Sequence, residues 1–316
     1  MSDDPSSPES NRPSNPSPRL LPLSEVADPS AAGELRLGLA GDGDLRWAAV
    51  DVTAILEDAR HRFDLSPLAA VAMGQAMAAA ALLLRFSTKY PGRLRFEVQG
   101  DGPIGKVYAD ADSNGMVRGM VDQLQIADPG GRLALSPAIG KGLLRVTQES
   151  KEKGPWSSQV ELVSGEIGQD LTHFLHQSYQ VRSAALLGVL PAPEGIVAAG
   201  GFLIEALPGA DEGRVDRLEQ GISGLGGRVS PALRSGGLDA LCSSVLEGFD
   251  TEELERHNLR YTCSCRREAL ENRMRGLPPA DLSEVADEQG QAELMCAFCN
   301  GSFIVSVADL LADGVN

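Results

Sequence analysis

The sequence contains little positive charge and none of the short motifs that mark common enzyme classes. Its 28 Lys and Arg residues are outnumbered by 44 Asp and Glu residues, so the formal net charge is −16. Because binding to nucleic acid depends on basic residues that neutralise phosphates, this balance argues against a nucleic-acid partner. The chain contains no nucleophile elbow, phosphate-binding loop or dinucleotide fingerprint. We therefore expect a protein that is not an enzyme.

The first twenty residues lack the apolar run that a secretory signal peptide requires. Residues 1–20 consist mainly of Ser, Pro, Asn and Asp, which bury too little apolar surface to fold, so we predict a disordered tail there. In a protein that is not exported, paired cysteines more often bind metal or carry out redox chemistry than form permanent disulfides.

Charged residues are absent from positions 65–84, a run about as long as a membrane crossing. The run is mostly alanine, contains Gly74 and Gln75, and opens with Ser66 and Pro67, which suit a helix N-cap and first turn. These features favour a helix that is buried on all sides inside a domain, and we expect no contact with a membrane.

The spacing of apolar residues predicts an α+β fold. Residues 21–210 are expected to form an N-terminal domain with a mixed sheet and packed helices. Leu94, Phe96 and Val98 alternate with polar residues, a period typical of a half-exposed strand. Helices are predicted at 51–63, 65–84 and 167–179, and strands at 35–39, 94–99, 104–109, 116–121, 142–148, 157–163, 184–190 and 196–207.

Residues 211–258 are predicted to form a helical linker that is ordered only while it is docked. Two narrow apolar stripes run through this segment at helical spacing: Val215, Leu218, Ile222 and Leu225, then Leu238, Leu241, Val245 and Leu246. Glycines interrupt the stripes, and a glycine in a helix costs about 1 kcal/mol relative to alanine. Helices this short do not persist alone in water, so the linker is expected to be metastable.

Four of the five cysteines form two close pairs in the last sixth of the chain, Cys263 with Cys265 and Cys296 with Cys299. Two such pairs supply four thiolates, the ligand set of a tetrahedral zinc site. On an extended backbone, residues two apart share a face with Cα atoms about 6.6 Å apart, which suits two ligands of one metal and lies near the upper limit for a disulfide. We predict one Zn²⁺ in a C-terminal domain at 259–316.

The cysteine pattern alone leaves alternatives open. The plainest is a purely structural zinc knuckle; a disulfide framework is disfavoured because no signal peptide is apparent. A thioredoxin-like pair would open a helix, whereas residues 294–295 and 303–305 flank the second pair like two short strands. The fifth cysteine, Cys242, lies beside an apolar stripe and is expected to be a small buried residue.

The size of the C-terminal domain suggests a switch. A module this small depends on its metal for most of its stability, so oxidation of the ligands should unfold it. A linker that packs on the folded module should then loosen and expose its apolar stripes.

Several blocks of the sequence together resemble the redox-regulated 33-kDa heat-shock protein family. The resemblance covers roughly residues 34–312. The blocks that carry it are Gln99–Pro103, Ser164–Ile167, Ala185–Leu190, Ala199–Ile204, Cys263-Ser-Cys265 followed by Arg267-Glu268, Cys296–Asn300, Phe303 and Asp309-Leu310.

The resemblance implies a cytoplasmic, ATP-independent holdase that is inactive when reduced and zinc-bound. It further implies that strong oxidants form the disulfides Cys263–Cys265 and Cys296–Cys299, which releases zinc and unfolds the linker. The resemblance also implies that the N-terminal domain, residues 21–210, then forms a homodimer and that exposed apolar surface captures unfolding client proteins. Two other classes remain open from the residues themselves: a constitutive zinc-ribbon adaptor for one folded partner, and a disulfide oxidoreductase with Cys296 as nucleophile and Cys299 as resolving thiol.

Overall fold

The computed structural model describes residues 32–87, 92–150, 152, 154–222, 227–263, 265 and 267–312, so the tail predicted at 1–20 lies outside it. Ten strands form one large sheet: β1 (Ala32–Ala40), β2 (Leu45–Asp51), β3 (Gly92–Gly100), β4 (Lys106–Asp112), β5 (Met116–Val121), β6 (Gly142–Ser150), β7 (Gly154–Glu161), β8 (Ser183–Ala192), β9 (Gly195–Ala206) and β10 (Thr251–Tyr261). A separate hairpin is formed by β11 (Gln291–Met295) and β12 (Ser302–Ser306).

The helices of the N-terminal domain are α1 (Thr53–Phe63), α2 (Pro67–Ser87), the short α3 (Ser136–Ile139) and α4 (Ile167–Phe174), which continues as a π-helical turn at Leu175–Tyr179. The linker contains α5 (Glu212–Ile222) and α6 (Val229–Val245), and the C-terminal domain contains α7 (Arg267–Met274), α8 (Pro279–Glu284) and α9 (Val307–Ala312). The predicted α+β class is confirmed, and the predicted strands are present with ends shifted by a few residues.

The large sheet is mixed, with the order β7-β6-β3-β4-β5-β10-β1-β2-β9-β8. All of its neighbouring strands pair antiparallel except β5 and β10, which are parallel. This parallel contact involves only Arg260 with Met116 and Tyr261 with Val117. Strand β10 is therefore the joint between two antiparallel halves of the sheet.

Helix α2 is the central core element of the N-terminal domain. It is long and apolar enough to cross a membrane, but 89% of its most apolar window is buried inside the protein. Gly74 allows close packing, since a Cβ there would lie 2.4 Å from a methyl carbon of Leu56 and 2.8 Å from one of Val189. This burial confirms the prediction of a buried helix. The small side chains of α2 let strands from both halves of the sheet approach it.

The linker helices cover the opposite face of β1, β2, β8 and β9, because alternate residues of a strand point to opposite sides. Their predicted apolar stripes are buried there, apart from the partly buried Ile222 and from Leu225, which lies outside the described residues. We call the covered sheet residues the linker-covered face: Ala40, Leu45, Trp47, Ala49, Leu186, Ala198, Phe202 and Ile204. Helix α6 is broken at Gly236 and Gly237, and Gly237 has a φ of 62°.

The prediction of helix throughout 211–258 is wrong for residues 251–258, which belong to β10. Residues Thr251–Arg256 are all exposed, and all except Leu254 are polar, so no alternating pattern of apolar and polar residues reveals a strand. Pairing with the free edge of β1 decides the conformation instead. Gly38 permits this pairing, since a Cβ there would lie 2.0 Å from the carbonyl oxygen of Glu252, beside a register shift between Leu37 and Gly38.

The C-terminal domain has a separate small core, formed by Leu282, Ala292, Leu294, Val305, Val307 and Leu310. The strands predicted on either side of the second cysteine pair are β11 and β12, which pair from Gln291 with Ser306 to Met295 with Ser302. Because this core contains so few apolar residues, it stabilises the domain only modestly. The cysteines at the edge of the core therefore matter more for the stability of the domain.

Candidate metal centre

The four predicted cysteines lie together in space. Their sulfur atoms are all within 4.8 Å of one another. Two of these separations run between the pairs, with 3.6 Å between Cys263 and Cys296 and 3.3 Å between Cys265 and Cys299. A tetrahedral metal with sulfur bonds of about 2.3 Å requires sulfur separations of about 3.8 Å. The cluster therefore has the size of a four-thiolate metal site.

The local backbone explains how each sulfur reaches the cluster. Only Thr262 separates Cys263 from the end of β10, which anchors it on the large sheet, while Cys296 and Cys299 occupy the tight turn between β11 and β12. In that turn the Cys296 carbonyl accepts hydrogen bonds from the amides of Cys299, at 3.2 Å, and Asn300, at 2.8 Å. Asn300 adopts a left-handed conformation with φ 56°, which asparagine tolerates better than most residues.

The pKa values of three of the four thiols are shifted by their surroundings in the cluster. The Cys296 and Cys299 thiols donate to Cys263 and hold its pKa far below the usual range. Burial raises the pKa of Cys265 to about 12, and the hydrogen bond to Cys263 raises the pKa of Cys299 strongly. One thiolate is thus stable, while further thiolates would repel it. A bound metal ion would supply the charge that lets all four sulfurs ionise, so these cysteines fit a metal.

The cluster is docked on the N-terminal sheet by residues that the sequence pattern does not reveal. Arg118 of β5 donates a hydrogen bond of 3.2 Å to the sulfur of Cys263, and its guanidinium carbon lies 3.9 Å from the ring centroid of Phe298. The Tyr261 hydroxyl donates to the carbonyl oxygen of Phe298, and the Asn300 side chain donates to the carbonyl oxygen of Arg62 at 3.0 Å. These contacts join the turn between β11 and β12 to β5, β10 and α1.

The fifth cysteine is separate from the cluster. Cys242 lies half-buried on α6, where burial raises its thiol pKa to about 12. A thiol with so high a pKa is protonated and unreactive at neutral pH. The prediction of a small buried residue is correct only in part, because Cys242 is half-buried.

Comparison with known proteins identifies the family. A sequence profile of the family described as Hsp33 protein matches residues 34–306. The chain belongs to the Hsp33 family. Among its Hsp33 relatives, the 33 kDa chaperonin of Desulforamulus reducens is 37% identical over 86% of this chain and 94% of its own length. The 33 kDa chaperonin of Thermus thermophilus is 38% identical over 84% of this chain and 82% of its own length.

The fold is likewise that of an Hsp33 protein. The crystal structure of the 33 kDa chaperonin from Thermotoga maritima matches with a TM-score of 0.81 and 30% identity, covering 89% of this chain and 98% of that chain. The resemblance to the redox-regulated 33-kDa heat-shock proteins is thereby confirmed at the level of family and fold. Membership in the Hsp33 family supports a chaperone role for this protein.

Proposed function

We propose that this Hsp33 protein is an ATP-independent holdase, inactive while Cys263, Cys265, Cys296 and Cys299 bind one zinc ion and active once they are oxidised. It would act in the cytoplasm on unfolding client proteins, form a homodimer in the oxidised state and catalyse no reaction. The observation that carries the proposal is the path from the cysteine centre to the linker. Only Thr262 separates Cys263 from the end of β10, and only residues 246–250 separate β10 from α6.

Zinc, when bound, would offset part of the negative charge of the four thiolates and hold the two cysteine segments together. The chain's own contribution is to bring the segments into register. The end of β10 presents Cys263, and the turn between β11 and β12 presents Cys296 and Cys299. Because the core of the C-terminal domain is small, loss of these ligands should unfold that domain.

Oxidation by a peroxide accounts for the loss of ligands. A cysteine thiolate attacks one peroxide oxygen, the O–O bond breaks and hydroxide leaves, so the sulfur becomes a sulfenic acid. The neighbouring thiolate then attacks this sulfur, an S–S bond forms and a second hydroxide leaves. Each disulfide thus takes two electrons from the cysteines, reduces one peroxide and, with two protons, yields two waters. A neighbouring thiolate traps the sulfenic acid before it reaches irreversible states.

Strand β10 can transmit the change to the linker. Its contact with β5 involves only two residue pairs, and Tyr261 in that contact also bonds to Phe298 of the cysteine turn. Undocking of the turn would remove a main support of the contact between β5 and β10. Helix α6 lies close to β10 in the chain, just before it. The linker would then leave the linker-covered face, exposing apolar residues such as Trp47 and Phe202 to clients.

The linker is held in a way that suits release. Exposed ion pairs tie it to the N-terminal domain, among them Arg182 with Glu212 at 2.6 Å and with Glu219 at 2.9 Å. Pairs of this kind contribute about 0–1 kcal/mol each. Most of the docking energy therefore comes from the apolar stripes, whose length is limited by the break at Gly236 and Gly237.

A light-scattering assay tests the proposal. Reduced, zinc-loaded protein is compared with peroxide-treated or hypochlorous-acid-treated protein for its ability to suppress aggregation of a heat-unfolded client. We expect suppression only after oxidation, together with release of zinc to a chromogenic chelator. Equal suppression of aggregation by reduced and oxidised protein would contradict a redox switch. Retention of zinc by thiols that resist oxidation would favour a constitutive zinc-ribbon adaptor.

Peptide mapping tests the disulfide pairing. We expect fully oxidised protein to contain Cys263–Cys265 and Cys296–Cys299, because each pair lies in one segment and can stay linked after the segments separate. In the folded protein, sulfur atoms of different segments also lie close together, at 3.6 Å and 3.3 Å. Mass spectrometry of the oxidised chain distinguishes the two arrangements, and stable links between the segments would contradict unfolding of the C-terminal domain.

A further inference from the structure

A buried carboxylate lies beside the cysteine centre without touching any sulfur. Asp110 of β4 is fully buried and accepts hydrogen bonds from Arg118, at 3.1 and 2.9 Å, from Arg95, at 2.9 and 3.2 Å, and from Arg93. Burial tends to raise the pKa of Asp110, but hydrogen bonds and charge from Arg95 and Arg93 outweigh this, and the pKa lies below its usual value. Asp110 is therefore an ionised anchor at the centre of a cluster of arginines.

Arg118 connects this anchor to the cysteine centre. The residue is 7% exposed, and its side-chain Nε and Nη2 atoms both donate to Asp110. The remaining nitrogen, Nη1, donates to the sulfur of Cys263, while the face of the guanidinium covers the ring of Phe298. Every part of the guanidinium thus has a partner, so the orientation of Arg118 is determined by the protein and not by solvent.

This geometry has a chemical consequence for Cys263. A hydrogen bond from a cation spreads the negative charge of a thiolate and makes it a weaker nucleophile towards an oxidant. Four thiolates on one divalent ion carry a net negative charge, which the positive charge of Arg118 also offsets. Both effects stabilise the reduced centre and slow its first oxidation step.

We propose that Arg118, oriented by Asp110, is a positioning residue that restrains the oxidation of Cys263 and docks the cysteine turn on the sheet through Phe298. It sets the oxidant level at which the switch operates. Asp110 acts entirely through Arg118, since its carboxylate contacts no cysteine. This inference rests on the redox role proposed above for the cysteine centre.

The test measures two rates on full-length, zinc-loaded protein whose zinc content is verified beforehand. One is zinc release in excess hydrogen peroxide; the other is alkylation of each cysteine by iodoacetamide, resolved by tandem mass spectrometry. For Arg118→Met we expect both zinc release and alkylation of Cys263 to accelerate about tenfold, as expected for loss of a charge-assisted hydrogen bond. Asp110→Asn should also accelerate the alkylation of Cys263, although this substitution removes no contact to sulfur.

Two further variants separate positioning from general destabilisation. Arg118→Lys keeps a positive charge but cannot bond Asp110 twice and Cys263 at once, so its rates should lie between those of Arg118→Met and the unchanged protein. Arg145→Met removes an exposed arginine of β6 that bonds only to Gln159 among the described side chains, and it should leave both rates unchanged.

The outcomes are distinct. The positioning role would be overturned if Arg118→Met left the alkylation rate of Cys263 unchanged, or if it raised the alkylation rates of all four cysteines equally. If the unchanged protein keeps its zinc in peroxide, the redox function fails, whereas the comparison of Cys263 alkylation still decides whether Arg118 shields that sulfur.

Discussion

Replacing Cys296 by serine is expected to abolish stoichiometric zinc binding and unfold the C-terminal domain. Serine offers a neutral hydroxyl where the site needs a thiolate, and structural zinc contributes about 10–16 kcal/mol to small metal-dependent domains near neutral pH. The small core around Leu294 and Val305 cannot replace that contribution. Metal content by mass spectrometry and hydrogen exchange of the β11 and β12 amides measure the two effects. Exchange in β2 and β9 should remain slow, because the large sheet has its own core.

Cys242→Ser is the matched control for this experiment. It makes the same chemical change at a half-buried cysteine on α6, outside the cluster of four. The control should keep one zinc per chain and normal protection of β11 and β12. A Cys296→Ser protein that still bound one zinc per chain, with β11 and β12 protected, would show that the four sulfurs do not form the metal site.

Replacing Leu241 by aspartate is expected to produce a holdase that is active without oxidation. Leu241 is 1% exposed, in α6 against the linker-covered face. Loss of a buried leucine costs about 2–5 kcal/mol, and an unpaired carboxylate at that site costs more. The linker helices are short, so this change should shift them to the undocked state. The readout is suppression of client aggregation by reduced, zinc-loaded protein, which should approach that of the oxidised protein.

Ser243→Asp adds the same charge at an exposed position of α6 and serves as the control. It should leave the reduced protein inactive. Zinc content must stay at one per chain in both variants, since the change acts downstream of the cysteine centre. If Leu241→Asp undocks the linker, as shown by fast exchange of the α6 amides, and yet no client is held, the linker-covered face is not the client surface.

The strands and the cysteine centre were accessible to sequence reasoning because their signals are local. Leu94, Phe96 and Val98 alternate within one strand, and the two cysteine pairs each lie within a few residues. The structure adds β10, which the sequence pattern does not reveal because Thr251–Arg256 are exposed and largely polar. Its conformation comes from the partner strand β1 and from the space left at Gly38.

By itself, the sequence determined the family, the α+β class, the buried alanine-rich helix and the four cysteines that can share one metal. Only the tertiary structure decided that β10 joins the two halves of the sheet and that Arg118, held by Asp110, contacts Cys263. The physical reason is the separation in sequence between the residues that interact. Periodicity and ligand spacing are properties of short segments, whereas Arg118 and Cys263 are 145 positions apart and meet only because the sheet brings β5 beside the end of β10.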